Sequence, residues 1–176
     1  MPSITKLKKD VDQVWLAVRV FPRREKHVVK LLEQRGIESW IPLQERIKRY
    51  KRKVRKVQLP LITQYVFART AIKNAGEILS VAGVIELVRP SGEICPIPEE
   101  EIFLMKRIVG EVSEIAVEPG QWQKGDEMEI ISGQLTGLRG RLEEWRGKKR
   151  LGISMSHFQH TMIIEVPLTA LRKVCD

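Results

Sequence analysis

Cysteine is scarce: Cys95 and Cys175 are the only two. Two thiols build neither a disulfide scaffold nor a four-thiolate zinc site. The simplest expectation is a reduced, soluble, cytoplasmic protein. No apolar run approaches the ~18 residues of a membrane-spanning helix. No apolar stretch precedes Val14, so no secretory signal is expected. Histidine is scarce as well, with only His27, His157 and His160. His157 and His160 have helical ligand spacing, but their neighbourhood reads as a loop between strands without a nearby Cys or acid at ligand spacing, and no metal site is expected. Cys95 precedes Pro96 with no base close in sequence, and reads as a small, partly buried residue. Gly140 and Gly147-Lys148-Lys149 lack the G-x-x-x-x-G-K-[ST] spacing of a phosphate loop. Glu99, Glu100 and Glu101 are better explained as helix-start charge than as an acid/base pair. No catalytic constellation forms, so binding is expected rather than enzymatic chemistry, with no cofactor.

What is present is globular material and segregated charge. The chain has 176 residues, 43% apolar and 30% charged, enough for one domain or two small ones. Net charge is 31 − 22 = +9. Residues 46–57, RIKRYKRKVRKV, hold eight cations (Arg46, Lys48, Arg49, Lys51, Arg52, Lys53, Arg55 and Lys56) and no acid. A weaker excess at 139–150 holds six, Arg139, Arg141, Arg146, Lys148, Lys149 and Arg150, against Glu143 and Glu144. Between them, 93–118 carries seven Glu against Lys106 and Arg107. Such segregation suits a polyanion on one face and another partner elsewhere. The alternative for the basic run is a solvated hairpin; its charge density favours a partner.

Hydrophobic periodicity divides the chain. Residues 14–21 alternate, with Val14, Leu16, Val18 and Val20 on one face and Trp15, Ala17, Arg19 and Phe21 on the other, as in a strand. Pro22 suits a first helical turn, and Val28, Leu31 and Leu32 continue a helix over 22–35 that Gly36 stops. Strands are expected at 37–41, 64–69 and 84–89, a short helix at 74–81, and a helix opening at Pro98 with an Ile102, Met105, Ile108, Val109 stripe. The order β-α-β-β-α-β matches the split-βαβ, or ferredoxin-like, arrangement. The basic run is expected to be a hairpin projecting between the second and third of these strands. After Gly110 the pattern changes: 111–121 reads as a linker with at most a short extended piece. Strand signals at 127–131, 138–145, 151–156 and 162–166 then predict a small β-barrel. Gly133, Gly137 and Gly140 suit its turns and close strand approaches. The expected fold class is α+β: a ferredoxin-like βαββαβ domain over 12–110, the linker, and a small SH3-like all-β barrel over 122–176.

Three pieces together carry a family resemblance. They are Trp15-Leu16 at the first strand, Gly36-Ile37-Glu38-Ser39-Trp40-Ile41-Pro42, and Pro60-Leu61-Ile62-Thr63-Gln64-Tyr65-Val66-Phe67. With Lys124-Gly125-Asp126 and the later glycines in order, nearly the whole chain resembles the NusG family of transcription elongation factors. The likeness is to its specialised antiterminator paralogues, the RfaH and UpxY type, with an N-terminal NusG (NGN) domain and a KOW domain. Thr63 stands where the family commonly has Pro, which predicts a looser turn, and Ile62 stands where many members carry Phe.

The resemblance implies docking of the first domain onto the β′ clamp helices of RNA polymerase, bridging toward the β subunit. Trp15, Ile62, Tyr65 and Phe67 are the docking candidates, with a core role for Tyr65 and Phe67 as the alternative. It also implies contact with the non-template DNA strand or nascent RNA. Candidates there are Arg23, Arg24 and His27, then Arg19, a solvated helix face being the alternative; the eight cations of 46–57 join them. Three neutralised single-strand phosphates would give a log–log salt slope of roughly −2. The KOW domain would recruit Rho, a ribosomal protein or RNA; Arg139, Arg141, Arg146, Lys148, Lys149 and Arg150 favour RNA or the ribosome. A monomer without membrane contact is expected. The rival readings are a KOW-containing ribosome-associated or RNA-processing protein and, more weakly, a metal-dependent enzyme acting on nucleic acid.

Overall fold

In the computed structural model, residues 13–175 are described. The expected domain ends at 12 and 176, and the segment read as lacking a secretory signal, lie outside them. The element order is β1 (Gln13–Val20), α1 (Glu25–Gln34), β2 (Glu38–Trp40), β3 (Leu43–Tyr50), β4 (Lys53–Pro60), β5 (Tyr65–Ala71), α2 (Ala75–Leu79), β6 (Val84–Leu87), α3 (Glu99–Glu111), β7 (Ile115–Pro119), β8 (Asp126–Ile130), β9 (Arg139–Trp145), β10 (Lys148–Met155), β11 (His160–Ile164) and β12 (Leu171–Lys173). The fold is mixed α+β, rich in sheet with few helices. Among the described residues it forms two compact units, one of 13–41 with 62–102, the other of 42–61 with 103–175. The limits read from composition, at 110 and 121, fall inside the second unit.

The first unit is built on an antiparallel sheet ordered β2-β5-β1-β6. The two central strands are covered on both faces: Leu16 and Val18 are buried, and so are their neighbours Trp15 and Ala17. Helix α1 packs across β2 and β5 through Val28 and Leu32, both buried. It starts three residues later than Pro22 predicts. Pro22 instead sits second in a turn closed by the Arg24 amide donating to the Phe21 carbonyl at 3.0 Å. Arg23 takes φ 64° in that turn, the left-handed value a Pro-led type II turn needs at its third position. The far end follows expectation: Gly36, φ 72°, ends α1, with Ile37 N–H bonded to Leu32 O at 3.0 Å. The helix expected at 74–81 is shorter, a 3-10 turn at Ile72–Asn74 followed by α2.

The turn before β5 is not loosened by Thr63. Gln64 takes φ 67°, and its amide donates to Oε1 of buried Glu25 at 2.9 Å. Its carbonyl accepts from Val20 N at 2.9 Å. Two hydrogen bonds, one to a carboxylate, hold a conformation that a Pro would otherwise have favoured.

The second unit contains an antiparallel ribbon, β3-β4, and a six-stranded antiparallel sheet ordered β12-β8-β9-β10-β11-β7. The segment read as a linker holds β7, which pairs with β11 from Ile115↔Ile164 to Pro119↔His160. The short β12 had no distinct sequence signal and pairs with β8. Every residue of β11 is buried, and Leu151, Ile153 and Met155 of β10 complete the interior. Gly140 lets β9 approach β10, since a Cβ there would lie 2.6 Å from Gly152 O. Gly152 itself leaves room for the Trp122 ring. His160 is buried and its Nδ1 lies 2.7 Å from Phe158 O, so that nitrogen donates to a backbone carbonyl.

Candidate partner and nucleic-acid interfaces

One face of the first unit's sheet gathers the aromatic residues. Antiparallel register sets Ala17 opposite Phe67 and Arg19 opposite Tyr65. Trp40 lies opposite Phe67 on the other side, with ring centroids 5.8 Å apart. The four docking candidates divide on burial. Trp15, Ile62 and Phe67 expose 2%, 3% and 0% of their surface. All three are core residues. Tyr65 is half-buried, and so is Trp40. Trp40 was not singled out from the sequence, although period 2 from Glu38 places it on that face. Phe67, two residues along β5 from Tyr65, lies on the same face beside Trp40. Arg69, opposite Trp15, reaches Glu38 at 3.4 Å and Glu99 at 3.3 Å, so this end of the face is closed by ion pairs.

The candidate cations of the first unit separate similarly. Arg19 pairs with Glu86 at 3.0 Å, which offsets its charge and weakens its case. Arg24 and His27 come together in an open cleft of 560 Å³ with Phe21, Pro22, Ala82 and Gly83. Arg23 is exposed in the adjoining turn. Phe21 was read as a strand residue. The chain turns at Pro22 and leaves its ring 55% exposed, with its amide bonded to Gly83 O at 2.9 Å. A Cβ at Gly83, φ 99°, would meet Val28 at 2.9 Å, so glycine sets the depth of the cleft. An exposed ring beside a guanidinium and an imidazole can stack on an unpaired base while the cations hold phosphate.

The basic run is the ribbon β3-β4. Pairing runs from Leu43↔Pro60 to Tyr50↔Lys53, leaving Lys51-Arg52 as the turn. Every residue from Glu45 to Lys56 is exposed, so the arm has no core of its own along that length. Its base is anchored: Gln44 is buried and donates to Ser113 O at 2.9 Å. Directly paired residues share a face. One face therefore carries Arg46, Lys48, Tyr50, Lys53 and Arg55. The other carries Glu45, Ile47, Arg49, Val54 and Lys56. The only ion pair on the arm among the described residues is Lys56 with Glu45 at 2.9 Å. The face bearing Arg46, Lys48, Lys53 and Arg55 has no carboxylate.

The cations of the six-stranded sheet are arranged otherwise. Arg139 pairs with Glu129 at 3.6 Å and Arg150 with Glu165 at 2.9 Å. Lys149 stands opposite Glu144 in the ladder. Arg141 donates to Gly125 O at 3.1 Å. Arg146 lies 4.2 Å over the Trp145 ring, whose Nε1 donates to Glu118 Oε1 at 2.7 Å. The hairpin turn is Arg146-Gly147, φ 50° and 75°, the two positive values that a two-residue type I′ turn requires. Two of the six cations of 139–150 are thus ion-paired, and carboxylates stand among them, unlike the carboxylate-free face of the arm. The Asp126 carboxyl sits below the ordinary carboxylate range because Lys173 hydrogen-bonds it and sits beside it at 2.8 Å, and Lys173 is raised by the same pairing. Among the described residues no cluster of His, Cys, Asp and Glu could hold a metal ion, and no helix is long and apolar enough to cross a membrane.

The family described as "Transcription termination factor nusG" matches residues 13–106. Among solved structures, the chain is similar to one described as "Domain interaction in Thermotoga maritima NusG", at 20% identity and TM-score 0.54, covering 93% of this chain and 98% of that one. A second, described as the MjSpt4:Spt5 complex in conformation A, matches at 17% identity and TM-score 0.31 over 91% of this chain and 97% of that one. No curated protein matches the chain.

Proposed function

The chain belongs to the NusG family, and from that premise we propose that it is a transcription elongation factor. It binds RNA polymerase with its first unit, touches nucleic acid with its basic arm, and offers its barrel to a second partner. The observation that carries this reading is the family match over 13–106, the stretch that builds the sheet with the Trp40–Tyr65 face. We read the β2-β5-β1-β6 order as the ferredoxin-like NGN domain, within 12–110. The six-stranded sheet is read as the SH3-like KOW barrel, mainly within 122–176.

Polymerase docking then rests on Tyr65 and Trp40, with Phe67, Trp15 and Ile62 shaping the surface from below. Two half-buried rings on a stiff sheet give an apolar, preorganised seat for a helical partner, and the β′ clamp helices are the partner this reading names. The cleft of Phe21, Arg24 and His27 suits the unpaired non-template strand. Specialisation of the RfaH and UpxY type, with antitermination as its outcome, is supported by Ile62 and Thr63 at the signature. The barrel's paired charges favour a protein partner, a ribosomal protein or Rho, over bare RNA; exposed Ile131 and Leu168 offer it apolar contact. The factor acts as a non-enzymatic monomer in the cytoplasm.

The test is a pull-down of core RNA polymerase by the full chain, beside a Tyr65→Ala/Trp40→Ala variant verified as folded by circular dichroism. The reading expects binding by the wild type and a loss of at least about tenfold in the variant, since each aromatic anchor contributes roughly 1 kcal/mol or more. No polymerase binding, with salt-sensitive RNA binding retained, would favour the ribosome-associated or RNA-processing reading.

A further inference from the structure

The arm offers more than charge. Its strands are eight residues each, about 27 Å at the usual rise per residue. A two-stranded ribbon is ~5 Å between strand axes, and with its side chains it matches the major groove of B-form DNA, about 12 Å wide, which admits such a ribbon. Cations lie on one face in cross-strand register. Lys48 stands directly opposite Arg55, Arg46 lies two pairs nearer the base opposite Val57, and Lys53 lies two pairs nearer the tip opposite Tyr50. Lys51 and Arg52 close the turn, where they can meet the backbone at the groove's rim.

Three observations choose among polyanions. The arm has one aromatic residue, Tyr50, among eight cations; single-strand binders use successive aromatic platforms, and none is here. The A-form major groove is deep and narrow and excludes a ribbon. The cationic face has no carboxylate on either strand, whereas the opposite face carries Glu45 paired with Lys56 and the exposed apolar residues Ile47 and Val54. Charge is therefore directed, not merely abundant.

We propose that the β3-β4 arm is a duplex-DNA arm that enters the major groove with its Arg46, Lys48, Lys53 and Arg55 face. This deepens the reading of the arm as a nucleic-acid contact and does not depend on polymerase docking. Arg46 and Arg55, with forked donors, can read guanine edges; Lys48 and Lys53 neutralise phosphates.

The experiment uses the full chain in fluorescence-anisotropy titrations with a labelled 20-bp DNA duplex, the matching single strand and an RNA duplex, over a series of salt concentrations. Two variants remove equal charge from opposite faces: Lys48→Gln/Arg55→Gln and Arg49→Gln/Lys56→Gln. Circular dichroism verifies that both keep their strands. The proposal expects tightest binding to duplex DNA. It expects a loss of about tenfold or more, with a log–log salt slope shallower by about 1.8, for the first variant, and a loss under about threefold for the second. Methyl green, which occupies the major groove, should displace the protein, and netropsin in the minor groove should not. Equal losses in the two variants, tighter binding to either RNA duplex or single strand, displacement by netropsin alone, or no DNA binding would each overturn it. Polymerase pull-down with the same variants separates the two ideas. Intact polymerase capture without duplex binding removes the groove proposal alone, and duplex binding without capture removes the polymerase reading alone.

Discussion

The β3-β4 arm and the β9-β10 hairpin both look basic in sequence, with eight cations in 46–57 and six in 139–150. In three dimensions they differ. The strands of the six-stranded sheet run beside acidic ones, so Arg139 and Arg150 meet Glu129 and Glu165 and Lys149 stands opposite Glu144. The arm's strands pair only with each other, and like charge stands opposite like, as in Lys48↔Arg55. Such pairs weaken a ribbon, and an isolated hairpin is marginal in water. Unrelieved repulsion in a solvated arm is the arrangement that an external polyanion relieves. Counting cations does not distinguish the two hairpins; knowing what each strand lies beside does.

The sharpest way to break the comparison is to remove equal charge from both. Arg46, Lys48, Lys53 and Arg55 changed together to Gln should lower affinity for DNA by roughly 10²–10³-fold at about 0.15 M salt. Arg139, Arg141, Lys149 and Arg150 changed likewise should lower it less than about threefold. Anisotropy titration of both variants decides, and equal losses would erase the distinction.

A smaller effect separates the integrity of the six-stranded sheet from the charge of the arm. A methyl group at Gly152 would run into the Trp122 ring, so Gly152→Ala should cost about 2–3 kcal/mol in urea unfolding while leaving DNA affinity per folded molecule unchanged. In the first unit, Glu25→Ala removes the acceptor that fixes Gln64. It should cost about 2 kcal/mol, seen as a lower urea midpoint, without changing the salt slope of DNA binding.

The smallest effect is a pH dependence specific to the six-stranded sheet. Lys173 lowers the folded-state pKa of Asp126 below its unfolded value. The pair's contribution is therefore complete above the ordinary carboxylate range and is lost as pH falls through the lowered folded value. Urea midpoints measured from neutral pH downward should fall less steeply in Asp126→Asn than in the wild type.

Much of this architecture was legible because it is written in local periodicity. β1, β5 and the glycine stops at Gly36, Gly133 and Gly137 follow from alternation and from φ values only glycine adopts easily. The start of α1 was not legible, because Pro22 serves a helix start and a type II turn equally well. β7 and β12 escaped because their pairing partners, β11 and β8, are distant in sequence and supply the order that their own residues do not. At the site, the basic arm was visible in composition, whereas its two faces appear only once the register is known. The aromatic signature gathers its residues on one sheet face, but does not reveal their burial. Central strands covered on both sides bury Trp15 and Phe67, leaving Tyr65 and Trp40 at the surface.

The most direct test is elongation by core RNA polymerase on a template with defined pause sites, with the wild-type chain and the folded Tyr65→Ala/Trp40→Ala variant. The account predicts shorter pause lifetimes with the wild type and none of that effect with the variant. Pause lifetimes unchanged by the wild type, or changed equally by both proteins, would contradict it.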